Sequence, residues 1–347
     1  MTRWSPAAAL GAALALLAGC GHDAPQSPTP SPPAWETVER TLADASIVIE
    51  KVSYRSQGLR VFGQVCRPVA AGPHPVMVWN HGGFEGLGGE WNGGLCADSA
   101  RRGYVVVESS YRGEDGSQGA VEVCLGEVSD VLSLLEVALA QPYADRARVV
   151  MWGASHGGCI TTRAFQRGAP VHAAVDVFGP SEWTTNYAFW REQVAQGSPY
   201  RDAYASLMST LERAVGGTPE RVPEGYAARS PARFAADLAR RPEPFMALHG
   251  VEDLLVPAAQ SCLLAGAAGG FEAYHVSASP EVVLANAPVG CAGAALTWRA
   301  GPRPSPAWPG RRYLLVYDTV GHNTDGLAGQ ALILDATTFV ITKTPAR

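Results

Sequence analysis

The sequence predicts an α/β fold in which a mostly parallel sheet is covered by helices. From Ile47 onward, short apolar runs alternate with longer amphipathic segments, which is the pattern such a sheet imposes. The composition supplies a core: 47% of the 347 residues are hydrophobic and 17% are charged, which argues against a disordered chain. Sheets of this class run past roughly 250 residues as one unit, so a single large domain is expected over 46–347. A net charge of -5 with no run of Lys or Arg argues against a surface built for polyanions, and no nucleic-acid partner is expected.

The N-terminus differs from the rest. Arg3 supplies a positive start, and Ala7 to Ala18 is an unbroken small and apolar stretch. A helix rising about 1.5 Å per residue needs roughly 20 apolar residues to span a bilayer, so residues 1–19 read as a signal peptide. The stretch ends in Leu17-Ala18-Gly19-Cys20, which resembles the lipobox of bacterial lipoproteins. That resemblance implies a lipidated Cys20, a membrane anchor made of its acyl chains, and an extracytoplasmic protein. Pro, Ser and Thr dominate Ala24 to Pro33, so 20–45 is expected to be an extended tether.

The strands and helices follow in order. Ile47 to Tyr54 and Leu59 to Cys66 read as strands joined by a turn at Ser56, Gln57 and Gly58, forming an antiparallel hairpin at the sheet edge. Pro75 to Trp79 is a strand, Glu90 to Arg102 a helix and Tyr104 to Glu108 a strand. Apolar residues at 121, 125, 128, 132, 135 and 139 predict a helix over Val121 to Ala140 with one face on the sheet. Arg148 to Trp152 is a buried strand, Thr161 to Gln166 continues a helix, and Ala173 to Phe178 and Pro244 to Leu248 are strands. Tyr313 to Tyr317 is the last strand and Ala328 to Ile341 the last helix. The stretch 180–240, with Trp183, Tyr187, Phe189 and Trp190, is too long for a simple connection and reads as a helical cap. Its aromatics are assigned to the cap core rather than to a pocket. Gly269 to Gly310 receives no element.

Setting Cys20 aside leaves Cys66, Cys96, Cys124, Cys159, Cys262 and Cys291. An even number outside the cytoplasm fits disulfides, each worth roughly 2–4 kcal/mol. Cys262 with Cys291 is the preferred pair, because it staples a Gly/Pro-rich stretch, and Cys159 reads as a buried thiol.

The chemistry begins at Gly153-Ala154-Ser155-His156-Gly157, which fits G-x-S-x-G directly after a strand and directly before a helix. Glycines flank a nucleophile there because side chains would collide with the strand and helix beside it, and the helix N-terminus favours developing negative charge. His81-Gly82-Gly83-Phe84 ends the Pro75 strand. Acyl transfer needs two backbone N–H donors at the carbonyl oxygen, and Gly83 and His156 are the candidates. The acid must come from a strand end downstream of the serine, and Asp253 meets both conditions, with Glu252 as its rival. The base must follow the acid on a loop after the final strand, which favours His322 over His275. Asp145 and Arg148 read as a structural pair. No His/Asp/Glu cluster shows metal-ligand spacing, and no cofactor is required.

Six ordered motifs carry a resemblance. His81-Gly82-Gly83-Phe84, Tyr111-Arg112-Gly113, Gly153-Ala154-Ser155-His156-Gly157, Gly216-Gly217-Thr218-Pro219, Tyr226 with Ser230-Pro231, and His249-Gly250 with Asp253 and Val256-Pro257 resemble the catalytic domain of the prolyl oligopeptidase (S9-like) group of α/β-hydrolases. The resemblance covers about Ile47 to Ile341 and implies a Ser-Asp-His triad of Ser155, Asp253 and His322. Peptidases of that group usually carry a large β-propeller, and about 25 residues between Cys20 and the first strand leave no room for one. Propeller-less members resemble esterases and dienelactone-hydrolase-like enzymes, and a serine in place of cysteine points away from the latter. The expected function is hydrolysis of small carboxylic esters through an acyl-enzyme. The alternatives are a peptidase or amidase on short peptides, and a surface lipoprotein that keeps the fold as a binding module.

Overall fold

Apolar β-branched runs, alternating with helix-forming segments, zip into a single sheet in the computed structural model, which describes residues 34–346 apart from 89, 90 and 92. The expected signal peptide at 1–19, Cys20 and the Pro-rich run lie outside the described residues. The sheet begins with β1 (Glu36–Asp44), β2 (Ile47–Ser56) and β3 (Leu59–Pro68), which pair antiparallel in sequence. It continues with β4 (His74–Asn80), β5 (Val105–Ser109), β6 (Ala144–Ala154), β7 (Ala173–Val177), β8 (Phe245–Gly250), β9 (Glu272–Val276), β10 (Val283–Leu284) and β11 (Arg312–Tyr317). The spatial order is β1-β2-β3-β5-β4-β6-β7-β8-β11-β9-β10. From β5 to β9 in that order every pairing is parallel.

The helices are α1 (Gly94–Arg101), α2 (Gly126–Leu139), α3 (His156–Gln166), α4 (Trp183–Ala195), α5 (Arg201–Val215), α6 (Pro223–Arg229), α7 (Ala235–Arg240), α8 (Ala259–Ala268) and α9 (Gly326–Lys343). Two apolar cores form, one on each face of the sheet. Val128, Leu135, Ile160 and Phe165 of α2 and α3 pack with Leu264 of α8 and the cap aromatics Trp183 and Trp190. Cys96 and Ala100 of α1 and Leu332, Ala336 and Phe339 of α9 fill the other. Four helices, α4 to α7, occupy the predicted cap stretch.

Three expectations are corrected. Residues 36–44 fall within the expected tether of 20–45, yet they form the edge strand β1. All nine are exposed, so no apolar alternation marks them, and pairing to β2 places them. The helix expected over Val121 to Ala140 starts only at Gly126. Before it, Val123 and Cys124 both take φ of 57°, and the Glu127 carboxylate accepts the N–H groups of Glu122, Val123 and Leu125, which holds the chain in a loop. Gly269 to Gly310, given no element, contains β9 and β10.

Cys159 is also no free thiol. The disulfides are Cys66–Cys96, Cys124–Cys159 and Cys262–Cys291. The last ties α8 to the Gly/Pro-rich stretch across 29 residues. Replacing both Cys262 and Cys291 by Ser is expected to remove about 3 kcal/mol of stability by releasing that loop in the unfolded chain. Urea unfolding measures it, and an unchanged midpoint contradicts it.

Candidate active site

Parallel strands bring their carboxyl ends to one edge, where the loops after β4, β6, β8 and β11 meet. Ser155 is the single residue between β6 and α3, and it holds φ 57°, ψ -125°, a left-handed conformation costly for a non-glycine residue. The flanking glycines follow from space alone. A Cβ on Gly153 would lie 2.4 Å from the Gly157 carbonyl oxygen, and one on Gly157 would lie 2.0 Å from that of Asn80. The Ser155 N–H donates to Val177 C=O at 2.9 Å and fixes the turn.

Ser155 Oγ lies 2.9 Å from His322 Nε2, and His322 Nδ1 lies 2.7 Å from Asp253 Oδ2. The carboxylate can only accept, so His322 carries its proton on Nδ1 and presents a free lone pair to the serine hydroxyl. Asp253 is itself oriented: its Oδ1 accepts the Leu255 and Val256 N–H groups at 2.9 and 2.8 Å. Burial alone would raise its pKa, but hydrogen bonding and the nearby imidazoles of His249 and His322 outweigh that and hold the carboxyl below the usual range. His322 does the closer work. His249 Nε2 is 3.6 Å from Asp253 and gives its proton instead to Val256 C=O at 2.7 Å. Phe178 packs against the His322 ring at 4.6 Å.

The rivals fall elsewhere. Glu252 is exposed, while the nearby Asp253 is buried. His275 lies 2.5 Å from Asp318 and 3.0 Å from the Asn286 carbonyl oxygen. Asp145 and Arg148 form an ion pair at 2.8 Å beside the start of β6.

The loop after β4 runs alongside the serine: a Cβ on Gly82 would lie 3.6 Å from Ser155 Oγ. Two acidic side chains, absent from the sequence reading, secure its far end. Glu114 accepts the Gly86 N–H at 2.6 Å and Asp115 the Leu87 N–H at 2.8 Å. Burial pushes the Glu114 carboxyl up to about 8. In the unfolded chain the same carboxyl ionises near 4.5. Between those values the unfolded chain loses a proton that the folded chain keeps, so this group lowers stability as pH rises through the window, with no further change above it. Glu114→Gln keeps an acceptor for Gly86 and removes the titration. It is expected to gain on wild type steadily from pH 4.5 to 8, by about 4 kcal/mol at the upper end. Denaturant unfolding at pH 5 and 9 tests this, and an equal difference at both contradicts it.

A cavity of about 430 Å³ opens onto Ser155 and His322, walled by Trp79, Phe84, Phe178, Trp183, Trp190 and Leu255. Trp183 and Trp190 thus serve this wall as well as the cap core, whereas Tyr187 packs on Tyr226 and Phe189 on Tyr204 within the cap.

A strained serine between a parallel strand and a helix, with a histidine and a carboxylate delivered by later strand ends, defines an α/β-hydrolase. The chain belongs to the prolyl oligopeptidase family, whose profile matches residues 95–269, and it is a serine hydrolase of that family. It is 26% identical over 214 residues to the uncharacterized peptidase YtmA of Bacillus subtilis, covering 61% of this chain and 76% of the relative. Among solved structures it is similar to the acylaminoacyl peptidase of Pyrococcus horikoshii, with a TM-score of 0.58, 20% identity, and coverage of 85% of this chain and 41% of that one. It is also similar to acetyl xylan esterase 1 of Thermoanaerobacterium, with a TM-score of 0.55, 16% identity, and coverage of 89% and 88%. The chain therefore spans less than half of the archaeal peptidase.

Proposed function

We propose that this serine hydrolase cleaves carboxylic esters through an acyl-enzyme on Ser155. The contact of Ser155 Oγ with His322 Nε2 at 2.9 Å carries the reading. His322 takes the serine proton as Oγ attacks the ester carbon, and Asp253 stabilises the imidazolium that results. The N–H groups of Gly83 and His156 donate to the carbonyl oxygen as it gains negative charge. His322 then gives the proton to the departing alkoxide; water, deprotonated by the same imidazole, adds to the acyl carbon, the bond to Ser155 Oγ breaks, and His322 returns the proton to Oγ as the acid leaves. The chain's own residues supply every proton movement.

The ester preference is supported by the cavity beside Ser155. Among the described residues lining it there is no Asp, Glu, Lys or Arg, which suits a neutral acyl group better than a charged peptide terminus. A peptidase acting on short peptides uses the same groups, and the name of the Bacillus subtilis relative favours it. Turnover of nitrophenyl esters of graded acyl length, set against blocked and free peptide nitroanilides, separates the two. Peptide cleavage with negligible ester turnover overturns the ester reading.

We also propose that the protein is exported and anchored through lipidated Cys20. Three disulfides support an oxidising compartment. Cys20→Ala is expected to move the protein from the membrane fraction to the soluble one. Wild type found in the soluble fraction overturns the anchor.

A further inference from the structure

Gly82 and Gly83 have no side chains with which to lock their own backbone, yet the Gly83 N–H has to point in one direction to donate to an oxygen that gains charge. Its orientation is set from outside. That N–H belongs to the same peptide plane as the Gly82 carbonyl, which accepts from His81 Nδ1 at 2.9 Å. The next carbonyl, that of Gly83, accepts from His156 Nδ1 at 3.0 Å. Both peptides around Gly83, which has φ 76°, are thereby held.

The His156 ring is fixed in turn. The Cys124 N–H donates to its Nε2 at 2.9 Å, so the proton sits on Nδ1, as the bond to Gly83 requires. Phe84 packs on the ring at 4.7 Å and the edge of Tyr111 closes at 5.9 Å. Burial pushes the imidazole down to about 3, so it stays neutral and keeps this tautomer across the working pH range. Cys124, which presents this N–H, and Val123 both take left-handed φ of 57°, a strained pair. The disulfide to Cys159 holds that pair to α3, in the first turns after Ser155.

We propose that the His156 side chain is a positioning group for oxyanion stabilisation: braced by the Cys124 amide and the Cys124–Cys159 disulfide, it holds the Gly83 peptide so that its N–H faces the oxygen that gains charge. This rests on the reading of the Gly83 and His156 amides as the oxyanion donors. The residue after the nucleophile then acts twice. Its backbone donates to the oxyanion, and its side chain aims the second donor. The disulfide is part of the catalytic geometry as well as of the fold.

Three variants test it: His156→Phe, which fills the space without polar atoms; His156→Gln, which can donate and accept; and the pair Cys124→Ser with Cys159→Ser. His156→Phe is expected to lower kcat by about 10- to 100-fold, short of the full loss of a donor, with KM within about threefold. Affinity for a boronic acid bearing the preferred acyl group, whose tetrahedral adduct mimics the oxyanion, falls with kcat/KM, while affinity for the product acid holds. His156→Gln recovers most of both losses. The double serine variant lowers kcat by about fivefold or more at unchanged KM. An unchanged kcat in His156→Phe, equal losses for boronate and product acid, or no recovery in His156→Gln overturns the proposal. If His156→Phe does not fold, the disulfide pair decides: native near-ultraviolet circular dichroism with a lowered kcat supports it, and native dichroism with full kcat overturns it. Failure of the acyl-enzyme function itself is separate, because Ser155→Ala would then retain wild-type turnover, whereas a failure confined to the oxyanion donors leaves Ser155→Ala inactive and boronate affinity unchanged in His156→Phe.

Discussion

Ser155→Ala is expected to lower kcat by about 10⁴-fold or more while leaving KM within about threefold. The size follows from what the hydroxyl does. In the proposed mechanism it makes the bond to the acyl carbon, and neither the amides of Gly83 and His156 nor the apolar cavity could replace that nucleophile; they would retain only binding and charge stabilisation. The fold should survive. Ser155 Oγ contacts His322, while the turn is fixed by the Ser155 backbone N–H, which the alanine keeps. Steady-state kinetics on the best ester, with a melting curve on the same preparation, checks both. A loss below about tenfold contradicts the assigned nucleophile.

Asp253→Asn is expected to cost about 10³- to 10⁴-fold in kcat, again with little change in KM. In wild type the Asp253 carboxylate can only accept, so the His322 proton is held on Nδ1 at 2.7 Å. Asn keeps an oxygen for the Leu255 and Val256 amides, and its NH₂ then faces His322 Nδ1. Two donors cannot share that contact, so the imidazole proton moves to Nε2 and points at the serine hydroxyl, where it cannot act as a base. Stability should change with a definite sign. The folded carboxyl lies below its free value, so Asp253 contributes stability above the unfolded pKa, and that contribution is lost as pH falls through the folded one. The gap in stability between wild type and Asp253→Asn is therefore greatest at neutral pH and narrows in acid. A variant with near wild-type kcat at neutral pH contradicts the role.

Ser155, Asp253 and His322 could be picked from sequence because chain order and strand ends constrain them, and the structure brings the three side chains into contact. The central strands were readable because β5, β8 and β11 are buried end to end and so appear as continuous apolar runs. β1 was not, since every residue of it is exposed and it is placed by the backbone ladder to β2 and the Arg40–Glu50 ion pair, neither of which leaves an apolar alternation. The late start of α2 was hidden for another reason. Its periodicity extends upstream to Val121, but the Glu127 carboxylate and the bond from Cys124 to Cys159 hold the preceding residues out of the helix. The clamps on the loop after β4 left no local pattern at all. Glu114 and Asp115 reach Gly86 and Leu87 across 28 residues, and His156 reaches Gly83 across 73. Such contacts become visible only when the strand order is known.

Catalysis through an acyl-enzyme requires one alcohol to be activated by its neighbours, and a fluorophosphonate probe reads that directly. Treated with it and digested, the wild-type protein should carry a single adduct, on the peptide containing Ser155, and Ser155→Ala should carry none. Equal labelling of the two proteins, or an adduct confined to another serine, would contradict it.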